Sequence, residues 1–157
     1  LRLRVSHTAT IAMLLKSVVI LGLISAVTVQ ARYDIQFTKT AKDCVTEVGS
    51  DEDSIRNLVS DKGILNEGDK TLEKFTECCL RTFITDTNEI TINDTFKAYW
   101  TNLFAIHLRG RRRLATLVVD KCLEECKTTK GVTKGKAAVK MYNCMMGNLN
   151  KIIEKTD

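Results

Sequence analysis

The residues of this 157-residue chain that are best suited to catalysis, metal binding or disulfide formation are six cysteines and two histidines. Cys78 and Cys79 are adjacent, and the other cysteines lie far from them at positions 44, 122, 126 and 144. The Cys-x-x-x-Cys pair at 122 and 126 could supply half of a tetrahedral zinc site, but no second close cysteine or histidine pair completes it. The sequence therefore predicts neither a metal site nor a cofactor.

Catalysis has little support, because His107 is the only histidine after residue 31. A nucleophile–histidine arrangement would then have a single candidate base. In secreted phospholipases a cysteine doublet is followed in sequence by a His-Asp dyad, whereas here the doublet is followed by Leu80 and Arg81. We expect a lone histidine near a helix end to be a surface or capping residue, and we predict no catalytic residues and no enzyme.

Residues 1–31 have the pattern of a secretory signal peptide. The segment holds three basic residues and no acidic one, is almost wholly apolar from Ser17 to Val29, and ends in the small residue Ala31. A membrane-spanning helix needs about 20 apolar residues, and no further apolar run of that length follows. We therefore expect cleavage after Ala31, an extracellular protein and no stable membrane insertion. We expect Met13 to be the true start, which would make residues 1–12 an artefact of the reading frame.

The predicted mature segment, residues 32–157, is nearly balanced in charge. It keeps all 19 acidic residues and 21 of the 24 basic ones, a net charge of +2. So small an excess does not favour nucleic acid or a membrane surface as a partner. The segment is long enough for one domain, and an even number of cysteines in a small secreted chain favours disulfides.

Helical periodicity and the absence of proline predict an all-α domain of about six helices. Residues that suit N-caps and first turns mark three starts, at Ser50-Asp51-Glu52-Asp53, at Asp69 and at Asn93-Asp94. The expected helices run over residues 34–48, from 50–53 through 59, over 69–83, from 93–94 to an interruption at 110–113, over 114–125 and over 137–153. Such a domain, linked by disulfides, could enclose an apolar cavity.

Four cysteines stand in a spacing that resembles insect odorant-binding proteins. Cys44 lies in Lys42-Asp43-Cys44-Val45-Thr46-Glu47-Val48, and Cys78 precedes the apolar residues Cys79, Leu80 and Phe83. Cys122 lies in Val118-Val119-Asp120-Lys121-Cys122, and Cys144 in Met141-Tyr142-Asn143-Cys144. In that family six cysteines pair first with third, second with fifth and fourth with sixth. The resemblance therefore implies the disulfides Cys44–Cys78 and Cys122–Cys144.

The departures from the family pattern concern one disulfide. Lys74 stands where the second cysteine belongs, and Gly135 stands where the fifth belongs. The loss of both partners resembles the minus-C branch of the family. Cys79 and Cys126 are then left over, and we expect them to pair with each other. The alternative is that Cys79 stays a buried free thiol.

The resemblance implies a secreted carrier that reversibly binds small hydrophobic molecules, such as odorants or pheromones, in an internal cavity. Its implied partners are that ligand and a chemosensory receptor, and its implied assembly is a monomer or weak homodimer. The residues expected to line the cavity are apolar or aromatic, and each could instead be plain core: Phe75, Phe83, Phe96, Tyr99, Trp100, Phe104, Leu117, Val118, Met141 and Met145.

An alternative function is a secreted helical signalling or venom-type protein that acts through a protein receptor. The basic cluster Arg109–Arg113 suits such a role, although a solvated connection between helices also explains it. Asn93-Asp94-Thr95 matches the N-glycosylation pattern. An apolar cavity would favour carriage, whereas a filled core with an exposed apolar patch would favour the alternative.

Overall fold

The computed structural model describes residues 37–155, and this part of the chain consists of six α-helices. They are α1 (Lys39–Glu47), α2 (Glu52–Asn57), α3 (Lys70–Leu80), α4 (Asp94–His107), α5 (Arg112–Cys126) and α6 (Lys134–Glu154), with a 3-10 turn, Arg81–Phe83, after α3. Pairing of extended backbone among these residues is limited to three isolated bridges. The predicted all-α class is confirmed. The predicted signal peptide and its cleavage site lie outside the described residues.

Side-chain caps define where most of the helices begin. Asp51, Asp69 and Asn93 each accept a hydrogen bond from a backbone N–H in the first turn of α2, α3 and α4. Each of these caps lies at or within a stretch where the sequence predicts a helix start. The sequence places the start of the sixth helix at residue 137, but Thr133 caps α6 and the helix begins at Lys134. None of the described helices is long and apolar enough to cross a bilayer.

Two clusters of buried apolar side chains hold the helices together. The larger one, the Trp100 cluster, draws on α3, α4, α5 and α6 and includes Phe96 and Met145, both fully buried. The smaller one, the Leu72 cluster, joins α1, α2 and the segment before α3 to α3 and α6, with Ile55 as its member from α2. The long helices therefore form one core, and the two short helices close a second core against α3.

Two disulfides cross-link the helices. Cys44 of α1 is bonded to Cys78 of α3, with a Cα–Cα distance of 5.7 Å, which is the pairing that the family resemblance implies. The second disulfide joins Cys126 to Cys144, with a Cα–Cα distance of 5.9 Å. The expected Cys122–Cys144 bond is therefore wrong. Cys122 lies one turn before Cys126 on the same face of α5, and Cys144 forms its single disulfide with the later of the two cysteines.

The expected Cys79–Cys126 bond is also wrong, because Cys126 is already bonded to Cys144. Cys79 is a half-buried free thiol, as the alternative interpretation of the sequence has it, and Cys122 is a fully buried one. Burial raises the pKa of Cys79 to about 12 and that of Cys122 to about 11. Both thiols are therefore protonated at neutral pH, which disfavours their attack on the two disulfides.

Helices α3 and α6 approach each other closely at Gly135. A Cβ atom at this position would lie 3.0 Å from the Glu73 Cβ and 3.1 Å from the Glu73 carbonyl oxygen. Glu73 is only 7% exposed and forms an ion pair with Lys70 at 3.0 Å. Lys74, where the resemblance places the second cysteine, is exposed. The two helices are thus held at this point by close backbone packing.

Replacing Gly135 with alanine is expected to cost stability relative to the same change at Gly147. Alanine in a helix is favoured over glycine by about 1 kcal/mol, and a Cβ at Gly147 would meet nothing within 4 Å. Gly147→Ala should therefore stabilise the protein. The free energy of unfolding of Gly135→Ala should be about 1–2 kcal/mol lower than that of Gly147→Ala, because α6 must shift away from Glu73. Urea unfolding of both variants measures the difference, and equal stabilisation by both would contradict close packing at Gly135.

Candidate ligand-binding site

A pocket of about 240 Å³ lies where the Trp100 cluster and the Leu72 cluster meet. Its walls come from the start of α1, from α2 and the segment after it, from α3 and α4, and from one residue of α6. The lining residues are Phe37, Thr38, Thr40, Ala41, Ile55, Val59, Leu65, Phe75, Thr76, Cys79, Leu80, Tyr99, Asn102, Leu103, Ile106 and Tyr142.

The wall from α4 follows directly from helical periodicity. Tyr99, Asn102, Leu103 and Ile106 recur at the spacing that places side chains on one face of a helix. The ring of Tyr99 is held by two others, since its centroid lies 6.0 Å from that of Phe83 and 5.7 Å from that of Trp100. This face of α4 is therefore directed at the pocket, and the face that carries Trp100 is directed into the core.

The wall from α1 depends on an aromatic pair. The ring centroids of Phe37 and Phe75 lie 6.1 Å apart, which brings the residue before the α1 cap against α3. The guanidinium carbon of Arg56 lies 5.0 Å from the Phe37 centroid, within the range of a cation–π contact. The disulfide Cys44–Cys78 joins the same two helices. The mobility of this wall is thus limited by one covalent bond and one aromatic contact.

The ten residues expected to line a cavity separate into three groups. Phe75 and Tyr99 lie on the pocket wall. Seven lie buried in the Trp100 cluster and not on the wall: Phe83, Phe96, Trp100, Phe104, Val118, Met141 and Met145. Leu117 lies on the outer face of α5 with 66% of its surface exposed. The sequence analysis did not predict that Ile55, Val59 and Leu65 line the pocket. The feature that indicates them is their apolar character in a segment that is too short to form a core by itself.

Among the described residues that line the pocket none is charged, and their polar groups are hydroxyls, one amide and one thiol. Burial is the main cause that raises the pKa of Tyr99, and the neighbouring Cys79 and Tyr142 add to it. The Thr76 hydroxyl donates to the Leu72 carbonyl at 2.7 Å. The pocket is therefore apolar and neutral at physiological pH, with a few sites that can form hydrogen bonds.

Other predicted sites lie away from the pocket. Burial lowers the pKa of His107, so its imidazole is neutral at pH 7, and it does not line the pocket. Within residues 37–155, no cluster of side chains has the composition of a metal site. Asn93 is exposed, and its amide oxygen accepts from the Phe96 N–H at 2.9 Å. Its glycosylation stays a prediction.

The basic cluster lies in the connection between α4 and α5. Arg109 and Gly110 both have positive φ, 54° and 78°, so the chain reverses there through left-handed backbone. Gly110 suits this conformation because it has no Cβ. Arg111, Arg112 and Arg113 are exposed. The cluster is thus a solvent-exposed connection between helices.

Comparison with known proteins identifies the family. A sequence model of the PBP/GOBP family matches residues 28–148, more than half of the chain. The chain belongs to the PBP/GOBP family. Neither the curated proteins nor the solved structures give a match to the chain.

Membership of the PBP/GOBP family gives the pocket its context. This is the odorant-binding protein family that the cysteine spacing resembles. Its members are binding proteins, not enzymes, and are typically secreted. The chemistry of the site agrees with a binding role, because the described lining residues offer a largely apolar surface.

Proposed function

We propose that this protein is a carrier that reversibly binds small hydrophobic molecules in the pocket between the Trp100 and Leu72 clusters. The observation that carries the proposal is an uncharged, largely apolar pocket of about 240 Å³ in a member of the PBP/GOBP family. Pockets that bind small molecules are mostly apolar with a few placed polar groups. Removal of apolar ligand surface from water supplies the affinity.

The pocket volume sets the size of the ligand. An engineered apolar cavity of about 150 Å³ accepts benzene, which has six carbon atoms, so this pocket takes a molecule of roughly ten non-hydrogen atoms. Burial of about 300 Å² of such a molecule gains roughly 7–8 kcal/mol. Micromolar affinity corresponds to about 8 kcal/mol, and association costs must be subtracted. We therefore expect micromolar or weaker binding, which suits reversible carriage.

The proposal includes an extracellular location and a minus-C-like disulfide framework. The apolar segment with a basic flank in residues 1–31 supports secretion. Lys74 and Gly135 replace the second and fifth cysteines of the family pattern, and the backbone contact between Gly135 and Glu73 supports the view that close packing substitutes for that disulfide.

Titration with 1-octanol, followed by calorimetry and by Trp100 fluorescence, tests the proposal. Trp100 reports on the pocket because its ring lies 5.7 Å from Tyr99 and 5.8 Å from Tyr142, which both line it. Cys79→Phe adds a ring at the pocket wall and should abolish saturable binding. Leu117→Phe is the matched control, because Leu117 is exposed on α5 and its substitution should leave binding unchanged.

Two results would contradict carriage in this pocket. One is the absence of saturable binding by the wild-type protein. The other is equal binding by wild type and Cys79→Phe, with circular dichroism establishing that the variant is folded. The second result would place the ligand elsewhere in the protein.

A second candidate function, action through a protein receptor, has one observation in its favour. Leu114 and Leu117 are 40% and 66% exposed on the outer face of α5, beside the exposed arginines at its start. Large exposed apolar residues next to basic ones suit a protein partner. This function becomes the better one if wild-type protein binds no small molecule.

A further inference from the structure

The described walls of the pocket offer no countercharge to a bound ion. All of the lining side chains within residues 37–155 are neutral at physiological pH. Arg56, a cation near the wall, lies over the Phe37 ring and forms an ion pair with Glu52 at 3.5 Å. An ionised ligand would therefore lose its hydration without gaining a partner, a transfer that is strongly unfavourable.

Tyr99 provides the pocket with a fixed hydrogen-bond donor. Its ring is held between those of Phe83 and Trp100, so the position of the hydroxyl is set by packing. Within the described part of the chain, this hydroxyl forms no hydrogen bond. A ligand oxygen that accepts from Tyr99 would satisfy the donor in a site sheltered from water, where such a bond is worth more than in bulk solvent.

Three other polar groups of the wall are less suited to this role. The Thr76 hydroxyl already donates to Leu72. The Thr38 hydroxyl accepts from the Ala41 N–H at 3.2 Å as the cap of α1. Asn102 is exposed and lies one turn beyond Tyr99 on α4. Tyr99 is thus better placed than these three groups to donate a hydrogen bond to a buried ligand.

We propose that the pocket selects uncharged molecules that carry one oxygen acceptor, bound by the Tyr99 hydroxyl, and rejects carboxylates and amines of the same length. This inference rests on the proposed carrier function. It narrows the ligand class to alcohols, aldehydes, ketones and esters of roughly ten non-hydrogen atoms.

The test is a calorimetric series at pH 7.4 with 1-octanol, octanal, sodium octanoate and octylammonium chloride, which share an eight-carbon chain. The alcohol and the aldehyde should bind, and both ions should bind at least about tenfold more weakly. Both the carboxylate and the ammonium ion must bind more weakly than the alcohol. Weaker binding of octylammonium alone would be explained by repulsion from the net positive charge of the protein, and this result would overturn the inference. Octanoate that binds as tightly as octanol would also overturn it while leaving carriage intact. If none of the four binds, the carrier function itself fails.

The role of Tyr99 is tested by Tyr99→Phe with a matched hydrocarbon ligand. The variant should weaken 1-octanol binding by about five- to tenfold, the effect of one hydrogen bond. Binding of p-cymene, which has ten carbon atoms and no oxygen, should be unchanged because it forms no hydrogen bond with Tyr99. Equal weakening of both ligands would show that Tyr99 only shapes the wall, and unchanged octanol binding would show that the hydroxyl does not contact the ligand.

Discussion

Removing both disulfides by serine substitution is expected to lower the free energy of unfolding by about 6–7 kcal/mol. The bonded cysteines are 34 and 18 residues apart in sequence, so the chain-entropy model assigns about 3–4 and about 3 kcal/mol to the two bonds. The total free energy of unfolding of a natural domain is about 5–15 kcal/mol. The variant without disulfides should therefore be largely unfolded or only marginally stable, as measured by urea denaturation followed by circular dichroism.

The two free thiols provide the matched control for this experiment. Cys79→Ala and Cys122→Ala should each cost only about 1 kcal/mol, the effect of a small cavity, because neither residue is in a disulfide. Peptide mapping under non-reducing conditions should find both thiols free. If Cys122→Ala instead costs about 3 kcal/mol and releases a thiol at Cys144, the pairing of Cys126 with Cys144 is wrong.

Truncation of Trp100 to alanine is expected to cost about 3–5 kcal/mol. The side chain is fully buried in the Trp100 cluster, where its ring lies 6.2 Å from Phe96 and 5.6 Å from Phe104, centroid to centroid. The pocket wall should deform as well, since Trp100 packs against Tyr99. Urea unfolding followed by circular dichroism measures the loss, because the variant has no tryptophan.

Trp100→Phe is the informative comparison. The indole Nε1 is buried without a hydrogen-bond partner among the described residues, so phenylalanine removes an unsatisfied donor while it keeps most of the ring. We expect a loss below about 1.5 kcal/mol. A loss as large as that of Trp100→Ala would contradict this account, because it would mean that the indole N–H contributes to stability.

Much of the fold could be predicted from local sequence features. The caps Asp51, Asp69 and Asn93 satisfy backbone N–H groups within their own first turns, so their effect depends only on neighbouring residues. The start of α6 was less predictable. Gly135 disfavours a helix by local propensity, but its close approach to Glu73, a residue distant in sequence, makes glycine suitable there.

The candidate site was less predictable than the helices. Periodicity indicates which helix face is apolar, but it does not tell whether a packed side chain or a cavity lies opposite that face. Trp100 and Tyr99 are neighbours in sequence on adjacent faces of α4, and only Tyr99 lines the pocket. Most of the aromatic and methionine residues expected around a cavity pack against one another, and the cavity lies instead between their cluster and the one built on α1 and α2.

The sequence by itself determined the all-α class and, through the cysteine spacing, the resemblance to the family. Both rest on patterns within short segments. The tertiary structure alone decided which cysteine of α5 bonds to Cys144 and where the pocket lies. Cys122 and Cys126 share one face of a helix and are both buried, so the position of α6 decides which of them bonds to Cys144, and that residue is Cys126. Disulfides and cavities depend on distances between helices, and these are set by packing across the whole domain.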